Sequence, residues 1–184
     1  MEISKTKIPG VLKLEPKVFE DDRGRFAEVY RYSNPGQIID GFTPVQENES
    51  WSIGNVLRGL HFQKGMHAQA KLVRVIYGSV IVAVVDLRKD SKTYSQFETF
   101  EISDKTCESI FIPRGLAHGF FVRSEFAIFN YKVDNYYNKE SEAGIIYNDK
   151  FLNVDWGIDE SSKDPILSQK DTNLPKFLEL NYAF

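Results

Sequence analysis

Short runs rich in β-branched and aromatic residues recur from one end of the chain to the other, and they restrict the fold more than any other feature. They are VLKLEPKVF, RFAEVYRY, KLVRVIYG, SVIVAVVDLR, QFETFEIS, SIFIPRG, GFFVRS and AIFNYKV, with Gly, Asp, Asn and Ser at the breaks. That pattern predicts an antiparallel sandwich or barrel. In QFETFEIS, Phe97, Thr99 and Glu101 alternate with Glu98, Phe100 and Ile102, the period of a strand. Helical pattern is confined to short pieces around Asn34 to Asp40 and in the last thirty residues, where polar, Pro-containing sequence predicts an irregular tail laid on the barrel. The expected fold is all-β, a jelly roll with a few short helices, whose mouth can hold a ligand between rigid strands. A length of 184 residues suits a single domain over 1–184, with 155–184 as the packed C-terminal tail.

Charge and cysteine usage narrow the function. The formal net charge of -3 argues against a general nucleic-acid binder, which needs an excess of Lys and Arg, so any anion binding must be local. Cys107 is the only cysteine, which excludes a disulfide within the chain and favours a reducing compartment. The N-terminus has no secretory apolar stretch, and the run Val80 to Val85 has six residues against the ~20 of a membrane helix. The expectation is a soluble, cytoplasmic protein that binds neither membrane nor nucleic acid.

The stretch NVLRGLHFQKGMHAQAKLVRVIYGS gathers Arg58, His61, Lys64, His67 and Lys71 in what reads as a loop running into a strand. A metal site, an anion-binding patch and a proton-transfer site acting on an anion could each use such a set. The third histidine, His118, lies in PRGLAHG, whose P-x-G-x-x-H spacing resembles the second half of the cupin signature. Its Pro and Gly predict a tight turn that leads into a strand and sets His118 at the barrel wall. A metal-binding cupin would add a His-x-His pair and a downstream Glu, because alternate strand residues point the same way and can grip one ion. Here that pair is missing, so no metal is expected. A hydrogen-bonded structural residue is the second reading of His118, and His67 reads as structural.

The segments FEDDRGRFAEVY, VQENESWS, NVLRGLHFQ, AQAKLVRVIYG, VVDLRKDSKTY, IPRGLAHGF, NYKVDNYY, YNDKFLNVDW and ILSQKD occur in the order and spacing of the dTDP-4-dehydrorhamnose 3,5-epimerase family. The chain resembles that family over nearly its whole length. The resemblance implies a cupin-type double-stranded β-helix, no cofactor, and a dTDP-linked 4-keto-6-deoxy sugar as substrate. The C4 carbonyl of such a sugar acidifies the hydrogens at C3 and C5, and epimerisation removes one and returns it on the opposite face. By similarity His61 is the base, suited by an ordinary histidine pKa near neutrality. Asp171 is its carboxylate partner, which would fix the tautomer and stabilise the imidazolium. Lys71 stands near the ketone, where an ammonium stabilises growing negative charge, and Tyr131 is the proton donor. Without the resemblance, Asp171 reads as a solvated tail residue, and Tyr131 reads equally as a core tyrosine with its hydroxyl at the rim. Alternation places Lys71 on the face of Val73 and Val75, and so in the interior if those valines are there.

Arg23 and Arg58 match the family's diphosphate contacts, where the guanidinium fork suits phosphate better than an ammonium does. Phe26, Glu28, Gln46, Glu47, Asn48, His118, Glu142 and Lys170 match further substrate contacts, and Tyr137 matches the aromatic on which thymine stacks. The family is a homodimer, with Arg23 and Phe26 serving the neighbouring subunit's site by that analogy. Three positions depart from the common pattern: Val82 stands for an acidic residue, Tyr147 for Trp and Gly157 for Pro. Epimerisation at one carbon only, and a non-catalytic nucleotide-sugar-binding jelly roll, are the alternative readings.

Overall fold

A computed structural model describes residues 1–32, 39, 41–159, 163–182 and 184. In chain order the strands are β1 (Glu2–Lys5), β2 (Leu12–Glu15), β3 (Val18–Asp21), β4 (Gly24–Ala27), β5 (Gln46–Ile53), β6 (Leu57–Gln63), β7 (Lys71–Tyr77), β8 (Ser79–Asp86), β9 (Phe97–Ser103), β10 (Ser109–Ile112), β11 (Leu116–Val122), β12 (Phe126–Val133) and β13 (Glu142–Gly144). A single helical turn, α1, covers Gln169–Thr172. The strands form an antiparallel sheet in the order β1-β2-β10-β7-β12-β5, a second in the order β13-β6-β11-β8-β9, and the hairpin β3-β4. This is a cupin-like jelly roll. Among the described residues no helix is long and apolar enough to cross a membrane.

The main core lies between the two large sheets. Val73 and Val75 of β7, Ile110 and Ile112 of β10 and Phe129 of β12 meet Val80, Val82 and Val84 of β8 and Phe120 of β11. The run SVIVAVVD is apolar on both faces because both are covered: Val80, Val82 and Val84 point inward, while Ala83 and Val85 pack outward under Trp156, Phe177 and other residues of the C-terminal segment. That segment is tied to the start of β6 by a parallel bridge between Val56 and Ile166 and by the Asn55 side-chain amide, which donates to the Asp164 carbonyl at 2.8 Å.

Several sequence-based expectations change. Leu57–Gln63 is a strand rather than a loop, so Arg58 and His61 sit on a rigid wall, and only the segment 64–70 connects it to β7. Gln46–Ile53 is also a strand. It gives no apolar alternation because one face carries Gln46, Asn48, Ser50 and Ser52, the polar side of a cavity. RFAEVYRY leaves strand conformation after Ala27, and VLKLEPKVF is split at Pro16, where the backbone lacks a donor for the ladder. The helical expectation over Asn34 to Asp40 falls, apart from Ile39, outside the described residues. In the tail the helical pieces are α1 and a 3-10 turn at Phe177–Glu179.

PRGLAHG forms the expected turn, with Gly115 at φ +93° leading into β11. Gly157 has φ +63°, a conformation closed to proline, whose ring holds φ near about -65°. The departure from Pro at this position thus matches the local backbone. Val82 is fully buried among apolar side chains, and the Tyr147 carbonyl accepts the Trp156 indole N–H at 2.9 Å.

Candidate active site

The site is built on the facing walls of the two sheets. A bulge starts it: His61 lies opposite His118 and Arg58 opposite Phe120, so Gly59 and Leu60 together face the single residue Gly119. Strict alternation would put residues 58 and 61 on opposite faces, whereas one extra residue turns both toward the same cavity. Glycine is required at 59, where φ is +112° and a Cβ would fall 2.7 Å from the Gly119 Cα.

Two neighbouring lobes, of about 400 and 240 Å³, share His61 and Tyr131 as wall residues. The larger is bordered by Ser50, Arg58, Phe120, Ile166, Lys170 and Asp171. The smaller is bordered by Gln46, Asn48, Gln69, Lys71, Tyr137 and Glu142.

Asp171 Oδ1 stands 2.5 Å from Nε2 of His61, and Asp171 is only 3 % exposed. Burial pushes its carboxyl up, but the His61 contact, the Gly59 N–H and the Ser168 hydroxyl outweigh burial and hold it below the ordinary carboxylate range. Ser168 caps α1, accepting the Asp171 N–H at 3.1 Å. With Nε2 engaged, Nδ1 is the imidazole nitrogen left for a substrate proton.

Tyr131 comes from β12, paired with Val73 on one side and Asn48 on the other. Burial raises its phenol above the usual value, Arg58 opposes the rise and Glu142 adds to it. Lys71 Nζ lies 5.3 Å from the Tyr131 ring centroid and 3.3 Å from Gln69 Oε1. Val73 and Val75 are interior, as the alternation of β7 requires if Lys71 is to reach the cavity. Burial lowers Lys71 from 10.5 to about 8, with Glu142 and Asp134 opposing the drop.

The remaining cations and acceptors are held by neighbours. Arg58 directs Nε and Nη2 onto Ser52 Oγ at 3.2 and 3.1 Å. Lys170 forms an ion pair with Glu142, which also accepts the Tyr137 hydroxyl at 2.8 Å. The Gln46 side-chain amide donates to Asn48 Oδ1 at 2.8 Å.

Five expected contacts lie elsewhere in the single chain. Glu47 points to the other face of β5, where it pairs with Lys132 at 2.5 Å and accepts from Asn130. His118 lies opposite His61 but borders neither lobe; it is buried, its ring stacked on Phe129 at 5.9 Å and its Nε2 without a partner among the described residues. Burial, with Lys71 and His61 adding to it, keeps His118 well below the ordinary histidine value, hence neutral. Arg23 and Phe26 line a separate surface hollow on the β3-β4 hairpin, and Glu28 pairs with Arg31. Sequence reasoning missed Ser50, Ser52, Gln69 and Ser168. The twofold period from Gln46 and Asn48 was a usable signal for the two serines of β5.

A cupin-like barrel whose cavity holds an imidazole–carboxylate pair, a phenol and an ammonium is equipped for proton transfer of the kind an isomerase needs. The chain belongs to the dTDP-4-dehydrorhamnose 3,5-epimerase family, whose model matches residues 5–179. It is 46% identical over 176 residues to the dTDP-4-dehydrorhamnose 3,5-epimerase of Salmonella typhimurium, covering 95% of this chain and 94% of that one. The crystal structure of the Elizabethkingia anophelis dTDP-4-dehydrorhamnose 3,5-epimerase superposes with TM-score 0.90 at 47% identity, covering 99% of both chains. The Legionella pneumophila dTDP-6-deoxy-D-glucose-3,5-epimerase, solved with dTDP-4-keto-L-rhamnose, superposes with TM-score 0.91 at 36% identity, covering 98% of this chain and 94% of that one.

Proposed function

We propose that the protein epimerises dTDP-4-keto-6-deoxy-D-glucose at C3 and C5 to dTDP-4-keto-L-rhamnose, with His61 as base and Tyr131 as acid. The observation that carries this reading is the shared wall: both residues border both lobes, with Lys71 beside the phenol. His61 Nδ1 takes the proton from the carbon next to the ketone, and Asp171 stabilises the imidazolium that results. The electron pair moves onto the ketone oxygen, and the Lys71 ammonium stabilises the enolate. Tyr131, kept protonated by burial, returns a proton to the opposite face, and solvent exchange resets both groups.

Arg58 and Lys170, which border the larger lobe, are suited to the diphosphate charge. Arg23 and Phe26 do not reach the cavity of their own chain, and Phe26 is 70% exposed. Together with the exposed Trp51, Ile53 and Tyr77, this supports a homodimer in which the β3-β4 hairpin serves the neighbouring cavity. A single thiol and a nucleotide-linked substrate support a cytoplasmic location.

Incubation with dTDP-4-keto-6-deoxyglucose in deuterated water tests the reading. Label at both C3 and C5 is expected. Label at one carbon would restrict the enzyme to a single epimerisation, and no label would leave a binding protein.

A further inference from the structure

The base of the proposed reaction has a visible charge partner, the Asp171 carboxylate. The acid needs one as well, because a tyrosine that gives its proton to carbon leaves a phenolate in a buried site. The titratable groups that border these lobes with Tyr131 are Lys71 from β7, Arg58 and His61 from β6, Glu142 from β13, Lys170 and Asp171 from α1, and Tyr137. Of the three permanent or near-permanent cations among them, Lys170 is ion-paired with Glu142 and Lys71 is committed to the ketone oxygen in the mechanism above. Arg58 is the third.

Its placement is specific. Ser52 is 4% exposed on the inner face of β5, and its hydroxyl accepts from both Nε and Nη2 of Arg58. A buried hydroxyl receiving two guanidinium N–H groups fixes the plane of the fork and leaves Nη1 and the remaining charge directed elsewhere. Arg58 borders the larger lobe together with Tyr131, and its charge is the opposing influence on the burial of that phenol. Among the described residues Arg58 has no carboxylate ion pair that would quench this charge.

We propose that Ser52 is a positioning residue for the acid half of the reaction: its hydroxyl fixes the Arg58 guanidinium where that charge stabilises the phenolate left when Tyr131 gives up its proton. Arg58 then has a catalytic duty besides holding an anionic substrate. The proposal rests on the assignment of Tyr131 as the acid. No atom is gained or lost in the step; the O–H bond of Tyr131 breaks as the C–H bond forms, and the negative charge passes from the enolate to the phenol oxygen.

The test separates this proposal from the assignment it rests on, because its main readout needs no substrate. Fluorotyrosine incorporated at position 131 is titrated by fluorine NMR in the free, folded protein and in its Ser52→Ala and Arg58→Gln variants. The phenol ionisation constant is expected to fall about tenfold in Arg58→Gln, the size of effect that one opposite charge within a few ångströms exerts, and by a smaller factor in Ser52→Ala. In the deuterium assay Ser52→Ala should lower kcat with KM held within about twofold, since the guanidinium still meets the anion. An unchanged titration in both variants overturns the proposal, whatever the activity. A raised KM with unchanged kcat in Ser52→Ala also overturns it, leaving Arg58 a substrate anchor alone. Loss of the fold in Ser52→Ala would leave Arg58→Gln, a substitution on the cavity wall, to decide.

Discussion

Asp171 Oδ1 lies 2.5 Å from His61 Nε2, although the two residues are 110 positions apart. His61 sits on a central strand and Asp171 on a four-residue helical turn of the tail. The contact therefore depends on the docking of the tail against β6, through the Val56–Ile166 bridge and the Asn55 side chain. Removing the carboxylate charge should harm chemistry more than folding. For Asp171→Asn the expected result is a loss of about 10²–10⁴-fold in deuterium uptake, with a near-parental thermal midpoint. His61→Ala should abolish uptake, and undiminished exchange would remove it as the base.

The role proposed for Lys71 gives the reaction an alkaline limit. Its ammonium is the form that stabilises an enolate, and burial sets its pKa at about 8. The kcat/KM for exchange, which reports the free enzyme, should fall as pH rises through about 8. Stability moves the other way. The folded value lies below the unfolded one, so the unfolded chain binds more protons between about 8 and 10.5, and the fold gains stability as pH rises through that window. Lys71→Met should remove both trends; denaturant titrations at neutral and alkaline pH check the second.

Gly59 tests the bulge. A methyl group there would sit 2.7 Å from the Gly119 Cα and 2.8 Å from the His118 carbonyl, while at Gly24, also at positive φ, nothing lies within 4 Å. Gly24→Ala should cost only backbone strain, about 1–3 kcal/mol. Gly59→Ala should cost more, and should also weaken exchange by displacing the N–H that meets Asp171. Equal shifts in melting temperature would show that the close approach of β6 and β11 can relax.

Asp86 is a stability determinant away from the cavity. It is fully buried; burial raises its carboxyl, but Arg88, Ser91 and Thr93 outweigh that and hold it at about 2. The stabilisation it provides is present above the ordinary carboxylate value and is lost as pH falls toward about 2. Asp86→Asn breaks a hydrogen-bonded buried pair, so urea unfolding should show a loss of about 3–5 kcal/mol, with KM unaltered.

The proposed service of the β3-β4 hairpin to a neighbouring cavity is tested by complementation. Arg23→Ala and His61→Ala proteins, each weak alone, should regain deuterium uptake when unfolded together and refolded as mixed dimers. Sedimentation should give twice the mass of one chain. A monomer, or mixtures as weak as their components, would rule out shared sites.

Much of the barrel was legible because its core strands alternate or run apolar in the ordinary way. SVIVAVVDLR, QFETFEIS and AIFNYKV became β8, β9 and β12, each within two residues of the expected limits. The strands that carry the site were harder to see for one physical reason: their inward faces meet solvent and ligand rather than a core. Gln46, Asn48, Ser50 and Ser52 give β5 no apolar stripe, and Gly59 in β6 reads as a loop residue. The same chemistry that makes the site also hides its secondary structure from a hydrophobicity pattern.

The sequence by itself determined an all-β chain, the turn before His118, the face of β7 that Lys71 shares with Val73 and Val75 and, through ordered motifs, the family to which the chain belongs. Local propensity and alternation suffice for these, since each depends on near neighbours. Only the tertiary structure decided that Arg58 and His61 share a face, how the docked tail brings Asp171 to the imidazole, and that Glu47 turns away from the cavity. Those outcomes depend on a one-residue bulge and on contacts between distant segments. Both are set by packing over the whole barrel, which no local pattern encodes.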